Sequence, residues 1–136
     1  MYYSKMIGLT TGCLLWSSLA FGACNSTTCA NGMGMVIEGA DHASCYCLSK
    51  VGMNWWSAFS WCDAARGTLI DVNVDCQTVS GSSVDCPNLY NNGLDRGVWT
   101  RNTANGSRAT YIKANGNTHN ENKTWAGSYA LCRGNY

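Results

Sequence analysis

MNWWSAFSWCDAARGTLIDV, Met53 to Val72, is the stretch on which the reading of the chain turns. Asn54 is placed to cap a first helical turn. Trp55, Ala58, Cys62 and Ala65 recur at intervals of three, four and three, which aligns them on one face. Gly67 follows the last periodic residue, where a glycine in the left-handed conformation closes a helix, and Thr68 to Val72 then reads as a strand. Cys62 therefore points inward. A buried helix cysteine in an exported chain needs a partner from another part of the sequence, and Cys132 is the candidate.

The 136 residues amount to one domain, and the first stretch stands apart from it. Lys5 precedes the apolar run Met6 to Trp16, and small residues follow through Ala23, the order of a secretory signal peptide. We expect a leader over 1–23, its apolar run too short to span a bilayer, and a domain over 24–136. Cys24 after Gly22-Ala23 also admits a lipid anchor. Parity speaks for soluble export instead: the leader removes Cys13 and leaves eight of the nine cysteines, whereas a lipid on Cys24 leaves an odd number. An uncleaved N-terminal helix used for anchoring or filament assembly is the remaining option, and no acidic residue follows the run where a pilin-like helix carries one.

Eight cysteines in so short a chain imply an oxidising compartment and a disulfide framework. Zinc is not indicated, because Cys45-x-Cys47 has a single intervening residue and no second pair at ligand spacing. Spacing alone leaves about a hundred pairings open. We expect Cys62 with Cys132 and Cys76 with Cys86, leaving Cys24, Cys29, Cys45 and Cys47 to tie the N-terminal segment onto the first strand. The net charge is +1, and Lys5 leaves with the leader, so basic and acidic residues then cancel. No basic cluster stands ready for phosphates, so nucleic acid is not an expected partner.

In chain order, 24–44 is Gly-rich and reads as a cysteine-held extension with one short hairpin around Met33 to Ile37. Cys45 to Leu48 reads as a strand, and Lys50 to Gly52 as the connection into the helix. Asn73 to Gly93 is irregular, and a Cys76–Cys86 loop would spare it part of the entropy of ordering. Asp71, Asp75 and Asp85 are close in sequence. Calcium wants six to eight oxygens, however, and no compact acidic loop is present, so no metal is expected. Gly97 to Thr100, Ala109 to Lys113, Thr118 to Lys123 and Ser128 to Cys132 read as short strands separated by the Asn105-Gly106 and Asn115-Gly116 turns. The expected class is α+β, one or two helices packed on short antiparallel strands.

Trp55-x-x-Ala58-x-x-x-Cys62 followed by Gly67-x-Leu69, preceded by Cys45-Tyr46 and closed by Leu131-Cys132, resembles the C-type lectin-like domain, over about residues 40 to 136. Trp55-Trp56-Ser57-Ala58 and Gly97-Val98-Trp99-Thr100 are similar to bacterial members in particular. The resemblance implies an extracellular binding module, a helix cysteine bonded to the last strand, and a ligand site on the long loop and adjoining strands. The family's calcium-dependent sugar motifs do not carry over. Cys86-Pro87-Asn88 comes too early in the chain, Trp125-Ala126-Gly127 lacks both polar ligands, and the penultimate cysteine of the family is missing.

Between Trp99 and Trp125 the chain is rich in Asn, Tyr and Trp, residues that offer neutral hydrogen bonds and flat contact area at small entropy cost. We take Trp99, Arg101, Asn102, Tyr111, Asn117, Asn120, Asn122 and Trp125 as candidate ligand contacts for an extracellular glycan or surface protein, with no cofactor. The plainer reading makes Asn105, Asn115 and Asn117 turn residues, yet leaves Thr118-His119-Asn120-Glu121-Asn122 without a reason. An enzyme is not expected. His42 and His119 lie in no catalytic motif, Asp63 and Asp71 imply no cleft, and bonded cysteines supply no nucleophile. The alternative is a structural or tip subunit of a surface appendage or envelope assembly. In either case the destination is secreted, periplasmic or cell-surface.

Overall fold

The computed structural model of the chain describes residues 24–29, 32, 34–39, 43–77, 81–90 and 94–136. The expected leader over 1–23, with Lys5 and Cys13, lies outside them, as do Met33 and His42. The described chain runs β1 (Gly34–Glu38), β2 (Cys45–Met53), α1 (Trp55–Ala64), β3 (Thr68–Leu69), α2 (Val72–Asp75), α3 (Pro87–Tyr90), β4 (Val98–Thr103), β5 (Arg108–Ile112), β6 (Thr118–Asn122) and β7 (Ser128–Arg133). It is an α+β protein in which one sheet carries most of the order, in the sequence β1-β2-β7-β4-β5-β6, with β3 also paired to β7. The strand that comes last in the chain is thus central. It runs antiparallel to β2 and β3 and parallel to β4.

Strict alternation along the strands builds two cores, one on each face of this sheet. Cys45, Cys47, Trp99, Ala109, Ala130 and Cys132 face α1 and bury its Ala58, Cys62 and Ala65. Their neighbours Tyr46, Leu48, Val98, Ile112 and Leu131 face the other way, onto Ile70, Leu89 and the Cys76–Cys86 bridge. The second face is closed by loop and disulfide rather than by a long helix.

Asn54 caps α1 as expected, its Oδ1 accepting from the Ser57 N–H at 2.9 Å. The helix ends differently from the expectation. The left-handed residue is Arg66, at φ 56°, and Gly67 follows it. The Gly67 N–H reaches back to the Cys62 carbonyl at 2.9 Å and the Arg66 N–H to Asp63 at 3.0 Å, the paired bonds of a Schellman end. Gly67 is needed for room: a Cβ there would meet the Arg133 carbonyl oxygen at 2.8 Å.

Three other expectations are corrected. The strand foreseen over Thr68 to Val72 is only two residues long, because the Asp71 carboxylate accepts from the Asn73 N–H at 2.9 Å and turns the chain into α2. Where a short hairpin was expected, Gly34–Glu38 pairs with β2 in a regular register from Gly34↔Ser49 to Glu38↔Cys45, while Thr28 bridges its other side at Met35. Lys50 to Gly52 belongs to β2. Its register against β7 shifts between Leu48 and Gly52, and the buried Ser49 hydroxyl accepts the Ala130 N–H at 2.9 Å within that irregularity.

Four disulfides hold the elements together: Cys24–Cys45, Cys29–Cys47, Cys62–Cys132 and Cys76–Cys86. The helix cysteine is bonded to the last strand, and the N-terminal segment is tied twice to β2. The Cys24 sulfur that a lipid would modify is used in this bond. No helix among the described residues is long and apolar enough to cross a membrane.

Candidate functional site

The hairpin β5–β6 extends the sheet beyond α1, with Tyr111 opposite His119, Ala109 opposite Glu121, Thr110 opposite Asn120 and Arg108 opposite Asn122. Because successive side chains alternate, the first two pairs lie on the face that carries α1 and the last two on the other. The expected surface is therefore split in two.

On the α1 face the aromatic residues gather. Trp99 is fully buried, and its Nε1 donates to the Met53 carbonyl at 2.7 Å. Tyr111 stands edge-on to it at 5.9 Å between ring centroids, Trp125 at 6.1 Å, and Tyr111 and Trp125 are 5.3 Å apart. His119 continues the group 5.7 Å from Tyr111. Trp125 is 41% exposed and His119 is exposed, so the rings present a surface whose floor is Trp99. Burial pushes the Tyr111 hydroxyl pKa up, and the charge of Glu121 adds to the shift.

Beneath the rings, two indoles and one lysine fix the sheet to the helix start. Trp55 Nε1 donates to the Thr100 carbonyl at 2.8 Å, and its backbone N–H donates to the Lys123 carbonyl at 3.0 Å. The Lys123 ammonium lies 4.3 Å from the centroid of the Trp55 ring and donates to the Gly106 carbonyl at 3.1 Å. Lys123 is buried, so its charge serves this junction.

Each candidate asparagine side chain accepts a hydrogen bond from within the fold. Asn102 accepts from the Val72 N–H at 2.8 Å and donates to Asp71 at 3.1 Å. Asn117 accepts from the Asp85 N–H at 3.2 Å, and Asn122 accepts from both the N–H and the hydroxyl of Thr124. Asn120 is exposed on the far face, where its Oδ1 accepts from the Thr110 hydroxyl at 2.9 Å and its carbonyl from Arg108 at 3.2 Å. Arg101 is exposed near Asp71. Of the eight candidate contacts, the structure brings together Trp99, Tyr111 and Trp125. Trp99 is corrected from contact to support, since a buried ring offers no face to a ligand. Asn102, Asn117, Asn120 and Asn122 lie apart from the rings, in turns, at caps or on the opposite face.

His119 belongs with the aromatic group and was not among the candidates. Its signal was available, since alternation along Thr118 to Asn122 separates His119 and Glu121 from Asn120 and Asn122.

The carboxylates near α2 also have partners. Asp75 is buried, accepting from the Tyr46 hydroxyl at 3.0 Å and the Asp71 N–H at 2.8 Å, with Arg133 at 3.7 Å. Asp71 is held below the usual carboxylate range by the Asn102 amide and then by the Asn73 N–H. Asp85 is held low by the N–H of Thr118 and then by its hydroxyl. An open cleft of about 480 Å³ lies beside them, lined by Val72, Asn73, Cys76, Gln77 and Asp85. Among the described residues, no group of three His, Cys, Asp or Glu side chains is placed to hold a metal ion.

Comparison with protein-family models, with curated proteins and with solved structures returned no match to this chain.

Proposed function

We propose that the chain is a secreted or cell-surface, non-catalytic binding module of C-type lectin-like fold. It recognises an extracellular glycan or surface protein through the aromatic face of its C-terminal sheet, without calcium. The observation that carries this reading is the surface made by exposed Trp125 and His119 and half-buried Tyr111, resting on buried Trp99. Aromatic rings held by packing and by indole hydrogen bonds present contact area already ordered, so a ligand gains affinity with little further loss of entropy. The fold assignment draws on the bond from the helix cysteine to the last strand and on the order of elements, helix, irregular segment, meander, central last strand.

The structural-subunit reading asks for a surface that pairs with copies of itself. Against assembly through the β6 edge stand two carboxylates: Asp85 accepts from the Thr118 N–H at 2.8 Å and Glu121 from the Asn122 N–H at 2.8 Å. The test is an array of glycans and surface proteins probed with the purified protein and with Trp125→Ala. A specific hit lost in the variant supports the module. Filaments formed without any soluble ligand would support the subunit, and turnover of a substrate would overturn the non-catalytic reading.

A further inference from the structure

Two properties of the aromatic face narrow what it can hold. The first is the absence of a gap between the rings. With centroids 5.3 to 6.1 Å apart, Trp99 meets Tyr111 and Trp125 edge to face, and Tyr111 and Trp125 pack against each other at a tilt. A quaternary ammonium or an inserted side chain needs rings standing apart around a void, and these rings leave none. The Trp125 indole also lies against Gly127, where a Cβ would meet ring atom Cη2 at 2.9 Å, so the backbone itself seats the ring. What remains is a fixed platform suited to a flat apolar face.

The second property is charge. The lysines and arginines nearest in sequence to the rings have other charged or polar groups beside them. Lys123 is buried over Trp55, Arg108 spans Asn120 on the opposite face, Arg101 acts on Asp71 and Lys113 on Asp85. Glu121 is the acidic residue near the platform, close enough to act on the Tyr111 hydroxyl. An acidic ligand would meet the Glu121 charge here, with none of these lysines or arginines engaged to offset it.

We infer that the platform takes an uncharged pyranoside and rejects acidic glycans, an assignment that rests on the binding-module reading above. Pyranose rings with equatorial hydroxyls present a flat face of C–H groups that stacks on an indole. The hydroxyls at the ring's rim are then left for the His119 imidazole and the Glu121 carboxylate. Recognition by stacking and neutral hydrogen bonds depends little on ionic strength, unlike recognition by charge.

The experiment is calorimetric titration of the purified protein with linear β-linked glucose and N-acetylglucosamine oligosaccharides, set against uronate and sulfated counterparts. Binding of the neutral set is expected, with Kd unchanged within about twofold from about 50 to about 500 mM salt. Trp125→Ala is expected to weaken it by about tenfold or more, with Trp125→Phe retaining part and His119→Ala giving an independent loss. Circular dichroism of each variant separates lost contact from lost fold. Preference for the acidic set, affinity that falls steeply with salt, or binding indifferent to Trp125 would overturn the assignment. A surface protein bound through Trp125 while no oligosaccharide binds would overturn the sugar and leave the module standing. Absence of any ligand in either screen would sink both.

Discussion

A methyl group at position 67 would meet the Arg133 carbonyl oxygen at 2.8 Å and the Cys132 Cβ at 3.1 Å, and would collide with the Tyr136 hydroxyl. Two of these three neighbours cannot move without disturbing the central strand or its disulfide. Gly67→Ala is therefore expected to destabilise by about 1–3 kcal/mol, the range for forcing extra volume into a packed site, as read by denaturant unfolding. A neutral result would mean that the last strand sits further from the helix end. At the same scale, Asp71 and Asp85 both have carboxyls held below their ordinary value by hydrogen bonds. A folded-state pKa below the unfolded one gives stability above the unfolded value, about 4, and that stability is lost as pH falls through the lowered folded value. The melting temperature is expected to drop on acidification below about pH 4, and less so in an Asp71→Asn, Asp85→Asn double variant. An unchanged acid slope in that variant would place the sensitivity on other groups.

Strand β6 ends the sheet, and an edge strand with unpaired N–H groups invites another chain to pair with it. Here the outward N–H of Thr118 is bonded to Asp85, which sits next to Cys86 and is held there by the Cys86 N–H donating to the Gly116 carbonyl at 2.9 Å. The outward N–H of Asn122 is bonded to Glu121. Removing both carboxylates in an Asp85→Ala, Glu121→Ala variant is expected to raise self-association, visible by light scattering at increasing protein concentration. A variant that stays monomeric would show that this edge is protected by its polar side chains alone. The same element shows what was readable beforehand. Thr118 to Asn122 is recognisable as a strand after an Asn-Gly turn, but local pattern alone groups its asparagines into one surface. Register decided otherwise, since Tyr111↔His119 and Thr110↔Asn120 put neighbours on opposite faces.

For the whole molecule, the bond with the longest reach joins Cys62 and Cys132, 70 residues apart. It fastens α1 to the strand on which β2, β3 and β4 all pair. Cys62→Ala with Cys132→Ala is expected to lower stability by about 4 kcal/mol, and Cys76→Ala with Cys86→Ala, closing only 10 residues, by about 3 kcal/mol. Denaturant unfolding of the two double variants measures the difference. Equal losses would mean that native-state packing, rather than the unfolded chain's freedom, dominates both bonds. The N-terminal segment has its own pair of ties to β2, so the β1 side of the sheet is covered by covalently held chain.

What the sequence determined by itself was local or covalent. Helix period, the Asn54 cap, turn dipeptides and cysteine parity each depend on a few neighbouring residues or on counting, and they were enough for α1, for most of the strands and for an α+β frame closed by disulfides. The folded arrangement alone makes the last strand central, puts Gly67 against Arg133 and Tyr136, and leaves Trp99 as a floor while His119 joins Trp125 at the surface. Those outcomes depend on pairing register and on which face each neighbour covers. Both are set by contacts between residues distant in the chain, which no local pattern encodes.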